Sequence, residues 1–173
     1  MHARATDRGG RHGYDGAKKV PGIKRHLLTD TLGIVLAACV SPGDVSDRDG
    51  AKVLLARSCD RFPRLGHLWA DQGYRGQEFI GWVRDHLDIT IEIVTRRDGG
   101  RRGTWAKAGT PPPPPVPRFA LVQRRWVIER TFAWLGKYRR LSKDYEYLAA
   151  TSENLIYLAM SMTLLHRITG TPT

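Results

Sequence analysis

Glu129 is the one acid in residues 124–141, RRWVIERTFAWLGKYRRL, where Arg124, Arg125, Arg130, Lys137, Arg139 and Arg140 surround it. At about 100° per residue, Val127, Ile128, Thr131, Phe132, Trp134, Leu135 and Tyr138 share one wide apolar arc of a helix. Glu129 then falls on the opposite face with Arg125, Ala133, Gly136 and Arg140, where small residues leave it open. A carboxylate set among guanidinium groups suits a phosphate and a metal ion. A plainer account is an Arg125–Glu129 surface ion pair at i,i+4, worth a few tenths of a kcal/mol. The second acid of interest is Asp71 in LGHLWADQGYRGQEF, residues 65–79. Leu65, Leu68, Trp69 and Ala70 form a short apolar run that ends on it, and Gln72-Gly73 breaks the strand. Ligands of open α/β sheets bind beyond the carboxyl ends of strands, where such an acid would stand. The plainer account here is an Asp that begins a turn.

The elements that must position these acids follow from pattern and punctuation. HLLTD and GIVLAACV, on either side of Thr31-Leu32-Gly33, predict paired strands with a tight turn. Asp47 is placed to cap a helix over 48–58 in which Val53, Leu54 and Leu55 turn inward. A strand over 65–71, a helix near 77–86 and a β-branched strand over 89–95 come next. Residues 97–118, RDGGRRGTWAKAGTPPPPPVPR, read as a loop stiffened by polyproline II geometry, with Trp105 and its arginines able to touch nucleic acid. Leu155 to Leu165 is apolar nearly all round and too short for a bilayer, which predicts a buried helix and no membrane association.

Taken together, YDGAKKVPGIKRHLLTDTLG (14–33), GDVSDRDGAK (43–52), the Asp71 segment, RWVIERTFAWL (125–135), YRRLSKDYEYL (138–148) and TSENLIYLAM (151–160) resemble the DDE transposases of bacterial insertion sequences, in the branch called family five. The resemblance covers about residues 14–168. It implies an α/β fold of the ribonuclease H-like type, a mixed sheet flanked by helices, with Asp71 as the second acid of a triad and Glu129 as the third. The family's first aspartate lies in an Asp-Ser-Gln-Ser-Val strand upstream of the segment matching Tyr14, and nothing here matches it. Asp7, Asp15, Asp30 and Asp44 are not promoted in its place. The expectation is therefore a domain lacking its first strand, truncated and inactive alone. Residues 1–13 would be a basic flexible segment, 14–168 the partial catalytic domain and 169–173 a tail.

The implied chemistry is metal-dependent cleavage at the ends of a mobile element followed by strand transfer. Such chemistry uses carboxylates to hold Mg²⁺ or Mn²⁺ ions about 3.5–4 Å apart, and two carboxylates hold that pair poorly. The chain is expected to be the downstream frame of a frameshifted transposase, a decayed remnant, or a non-catalytic DNA-binding protein. Pairing with an upstream-frame product and homo-oligomerisation are the expected protein contacts.

Composition agrees with a polyanionic partner. With 28 Lys+Arg against 17 Asp+Glu, the formal net charge is +11 and the pI about 10.2. Excess positive charge attracts nucleic acid, with binding that weakens steeply in salt. Two clusters are expected to track double-stranded DNA. Lys18, Lys19, Lys24 and Arg25 flank a Pro21-Gly22 turn, and Arg125, Arg130, Lys137, Arg139 and Arg140 flank Glu129. Only Cys39 and Cys59 occur, without metal-like spacing, which predicts buried free thiols and a cytoplasmic, nucleoid-associated setting.

Overall fold

The computed structural model describes residues 2–5, 10–16, 18–94 and 123–170. The long loop expected over 97–118, with Trp105, lies outside them. Two strands buried along most of their length make the centre: β3 (Val20–Thr29) pairs antiparallel with β4 (Val35–Pro42), with Leu27 opposite Ala38. β1 (His2–Ala3) pairs with Ile23 and Lys24 of β3, and β2 (Gly13–Asp15) pairs with its first three residues. Of the described residues before Tyr14, Ala5 forms a bridge to Asp144 and the Gly10 N–H donates to the Glu146 carbonyl. Pro21-Gly22 lies inside β3 rather than at a turn, and Lys19, just before β3, takes a positive φ. A second, parallel pair joins β5 (His67–Ala70) to β6 (Thr90–Ile93).

Because a strand points alternate residues to opposite faces, β4 feeds two cores. Ala38 and Val40 pack with α3 (Gln123–Gly136), α4 (Arg139–Ser142) and α5 (Ala149–Thr169), through Leu135, Leu141, Ile156 and Met160. Ala37 and Cys39 pack with α1 (Asp47–Ser58), α2 (Gln77–Leu87) and the β5–β6 pair, through Leu54, Leu55, Phe79 and Val83. The result is a mixed α/β arrangement with helices on both faces of the β3–β4 sheet. α5 also closes the outer edge of β4. Its Tyr157 hydroxyl accepts from Ala38 N and its Glu153 carboxylate from Val40 N, both at 2.9 Å, so two edge amides that could recruit another strand are occupied.

Several expectations change in detail. Ser46 caps α1, its Oγ accepting from Asp49 N at 3.1 Å, and Asp47 is the first helical residue instead. Val53 faces solvent, while Leu54 and Leu55 are buried. The helix expected through residue 141 stops at Gly136, and α4 restarts after Tyr138. α5 is buried along one side only; Leu158, Met162, Leu165 and Ile168 are exposed. Cys39 is buried, with its thiol pKa pushed up by desolvation, but Cys59 is half-buried.

The close contact between α1 and β3 gives a first prediction. A Cβ added at Gly50 would overlap the His26 imidazole, which is itself buried and bonded to Ser41 Oγ. Overpacking of this kind costs about 1–3 kcal/mol. Gly50→Ala should lower the thermal midpoint by several degrees, and a midpoint equal to that of the parent chain would show that the interface yields freely.

Candidate functional site

Asp71 stands where the apolar run ends, one residue beyond β5. It caps a single 3-10 turn, Gln72–Tyr74, with Oδ1 accepting from Gly73 N at 2.9 Å. That bond orients the exposed carboxylate. The turn is held from outside by the first turn of α1. Arg48 Nη1 donates to the Arg75 carbonyl at 3.3 Å, beside Gly76, whose φ of +139° suits a residue without Cβ. Asp47 joins Asp71 here: a point one Cβ out from Gly73 lies 3.1 Å from Asp71 Oδ1 and 3.6 Å from Asp47 Oδ2. Tyr74 registers both acids, since burial first and then Asp47 and Asp71 raise its phenol pKa well above the ordinary value. From sequence Asp47 reads only as a helix cap; its approach to Asp71 depends on the packing of α1 against the turn.

Glu129 is exposed on α3, and α3 lies in contact with β5. The expected arc is present: Thr131 and Leu135 are buried, Phe132, Trp134 and Tyr138 pack on the core, and Ala133 and Gly136 stay open beside Glu129. The Arg125–Glu129 pair also forms, Nε to Oε1 at 2.8 Å. At a surface it contributes only about 0.3–0.5 kcal/mol, so it yields readily to a stronger ligand. The next two residues anchor the helix. Arg130 Nη2 donates to the Leu32 carbonyl at 2.8 Å and Thr131 Oγ1 to the Gly33 carbonyl at 2.7 Å.

The basic residues divide into two groups. Lys18 and Lys19 are exposed at the β2–β3 reversal, and Lys137, Arg139 and Arg140 are exposed where α3 gives way to α4. Arg139, Arg140 and Tyr145 line a shallow open depression, and Arg140 pairs with Glu146 at 2.7 Å. Lys24 and Arg25, expected on DNA, turn inward instead. Lys24 Nζ donates to the Val45 carbonyl at 2.8 Å and meets Asp47 at 3.4 Å. Arg25 is 3% exposed and donates to the Leu141 and Lys143 carbonyls. Neither can reach a phosphate from these positions.

Among the described residues no three acidic, histidine or cysteine side chains converge, and no helix is long and apolar enough to cross a membrane. Asp71 and Glu129 are nonetheless hard oxygen donors open to solvent, the donor type that a small divalent cation prefers.

The profile of the family described as the transposase DDE domain matches residues 1–164. A Burkholderia cepacia protein assigned as a transposase for insertion sequence element IS402 is 31% identical over 137 residues, covering 73% of this chain and 54% of that protein. The chain therefore spans about half the length of this relative. No solved structure matches.

Proposed function

The chain belongs to the transposase DDE domain family, and from that premise we propose that Asp71 and Glu129 are two of the acids of a metal-dependent DNA cleavage and strand-transfer site. The observation that carries this reading is that two exposed carboxylates stand on elements in contact with one another, one just past the end of β5 and one on the open face of α3, with Arg125 beside the second. Divalent Mg²⁺ or Mn²⁺ bound there would activate the attacking oxygen and stabilise the leaving one. The protein's own part is to hold Asp71 by its Asx turn and Glu129 by the anchored helix. Arg125 would swing from Glu129 to a phosphate oxygen when the metal takes the carboxylate. Lys18, Lys19, Lys137, Arg139 and Arg140 would carry the sugar-phosphate backbone of double-stranded DNA.

The same reading makes the fold ribonuclease H-like with one central strand to be supplied. Among the described residues β1 covers only Ile23 and Lys24 of its edge of β3, and no strand joins β3 to β5. A strand lying there would tie the two sheets together and could bring a further acid toward Asp71. The 173 residues would then be the carboxyl-terminal part of an active assembly whose remaining strand comes from another segment.

The test places the purified chain with Mg²⁺ or Mn²⁺ on DNA carrying the ends of the element, beside an Asp71→Ala/Glu129→Ala control and a longer protein with the family's upstream strand. DNA binding that falls steeply with salt is expected from the chain, with cleavage only from the longer protein and none once the two acids are replaced. Cleavage by the 173 residues that the double substitution abolishes would overturn the incomplete-site part of the proposal. Unimpaired cleavage by the doubly substituted longer protein would overturn the assignment of the acids.

A further inference from the structure

We propose that Arg130 and Thr131 are positioning residues for Glu129: together they latch α3 to the turn between β3 and β4 and so fix the rotation of the helix that carries the acid. The inference rests on the proposed role of Glu129, but most of it can be judged without that role. Successive residues on a helix point about 100° apart. Arg130 and Thr131 therefore leave α3 in two directions, and each ends on a different carbonyl of the same turn, Leu32 and Gly33. Two bonds of different direction to adjacent peptide units leave little freedom to roll, and Glu129, one position earlier, is left facing away from the turn into solvent.

Both halves of the latch are rigid. On the turn, Asp30 Oδ1 accepts from Leu32 N at 2.9 Å and from Ile34 N at 2.8 Å, while Gly33 holds a φ of +84°. The approach of the helix is close enough that a Cβ on Gly33 would stand 2.8 Å from Thr131 Oγ1. On the helix, Thr131 is completely buried and shares its hydroxyl with the Val127 carbonyl at 3.1 Å. The Arg130 guanidinium is clasped by two indoles, 4.5 Å from the Trp126 ring and 4.8 Å from the Trp134 ring, and Arg167 covers Trp134 in turn at 4.0 Å. A planar cation stacked between rings and bonded to a carbonyl acts as a pin, a role that lysine cannot take over. This assignment removes Arg130 from the residues that grip phosphate.

The experiment uses the full chain with Arg130→Ala, Arg130→Lys, Thr131→Val and Thr131→Ser. Three quantities are measured: amide exchange along α3, the salt dependence of binding to a DNA duplex, and Mn²⁺ affinity from the resonance signal of free Mn²⁺ in the presence of duplex, with Glu129→Ala as reference. Arg130→Lys and Thr131→Val should each speed exchange in α3 about tenfold while α1 keeps its protection, and should weaken Mn²⁺ binding toward the Glu129→Ala level. Thr131→Ser, which keeps the hydroxyl, should restore both. Arg130→Ala should leave the slope of log affinity against log salt unchanged. A slope smaller by about one in that variant would make Arg130 a phosphate contact and overturn its assignment. Parental exchange in both Arg130→Lys and Thr131→Val would overturn the latch. Mn²⁺ affinity unmoved by Thr131→Val but lost in Glu129→Ala would overturn the positioning role. Affinity indifferent to Glu129→Ala would sink the metal-site reading instead, with the exchange result still deciding the latch.

Discussion

Acidifying the folded chain from pH 7 to pH 4 should cost it up to about 3 kcal/mol through His26 alone. The imidazole lies on β3 against α1, buried, with Nε2 2.8 Å from Ser41 Oγ. Burial, the main cause, lowers its pKa from 6.5 to about 4. The unfolded chain therefore takes up a proton more readily than the folded one. The stabilising contribution is complete above pH 6.5 and is lost progressively as the pH falls toward 4, at 1.36 kcal/mol for each pH unit of difference between the two states. Urea midpoints measured between pH 7 and pH 4.5 should fall steadily, and His26→Gln, which stays neutral and keeps a hydrogen-bonding side chain, should flatten that fall. An equally steep fall in the variant would place the titration elsewhere. The consequence reaches the proposed site, because α1 is the helix whose first turn holds the Gln72–Tyr74 loop through Arg48.

What the sequence discloses and what it hides are separated by how far apart the partners lie. The carboxyl half of β3, strands β4 to β6, the turn at Thr31-Leu32-Gly33 and the core arc of α3 all depend on neighbours within a few residues, and periodicity with turn chemistry finds them, while the first half of β3 is hidden behind a Pro21-Gly22 pair that reads as a turn. Ser46 and Asp47 are both good N-caps, and only the geometry of the turn chooses Ser46 over the Asp47 that the sequence suggests. The exposed side of α5 follows from its packing against β4 along one face, to which helical periodicity is blind. Basic residues mislead most. Lys24 and Arg25 read as a DNA-facing pair, yet their partners are Val45, Asp47, Leu141 and Lys143. Arg130 likewise reads as a cation beside a catalytic acid, while its carbonyl and indole contacts make it a fastening. Asp71 and Glu129 stand out in the sequence because each is an isolated carboxylate where apolar or basic neighbours dominate, and the fold leaves both exposed. Their metal-binding role remains the proposal that Mn²⁺ titration and cleavage will decide.

Arg25→Ala should be among the most damaging single substitutions in the chain, at about 3 kcal/mol. Arg25 closes a polar knot between elements that no sheet hydrogen bond connects. Its Nη1 and Nη2 donate to the carbonyls of Leu141 and Lys143 at the end of α4, which a short helix leaves without internal partners. Asp144, buried beside it, supplies the opposite charge that partly offsets the burial lowering the Arg25 pKa. Asp144 in turn accepts from Ser152 Oγ at 2.5 Å and donates its own N–H to the Arg4 carbonyl at 2.8 Å, so β3, the amino-terminal segment, α4 and the start of α5 meet at one place. Removing the guanidinium strands a buried carboxylate and two carbonyls. Hydrogen bonds to charged groups contribute about 1.5–3 kcal/mol, and the loss of one partner from a buried charged pair costs about 3–5 kcal/mol. Arg25→Met keeps most of the volume and should destabilise nearly as much if the polar bonds matter, but by far less if only packing is lost. Equilibrium urea unfolding of both variants decides it. A loss below 1 kcal/mol for Arg25→Ala would mean that water replaces the guanidinium and that α4 is held by Leu141 in the core.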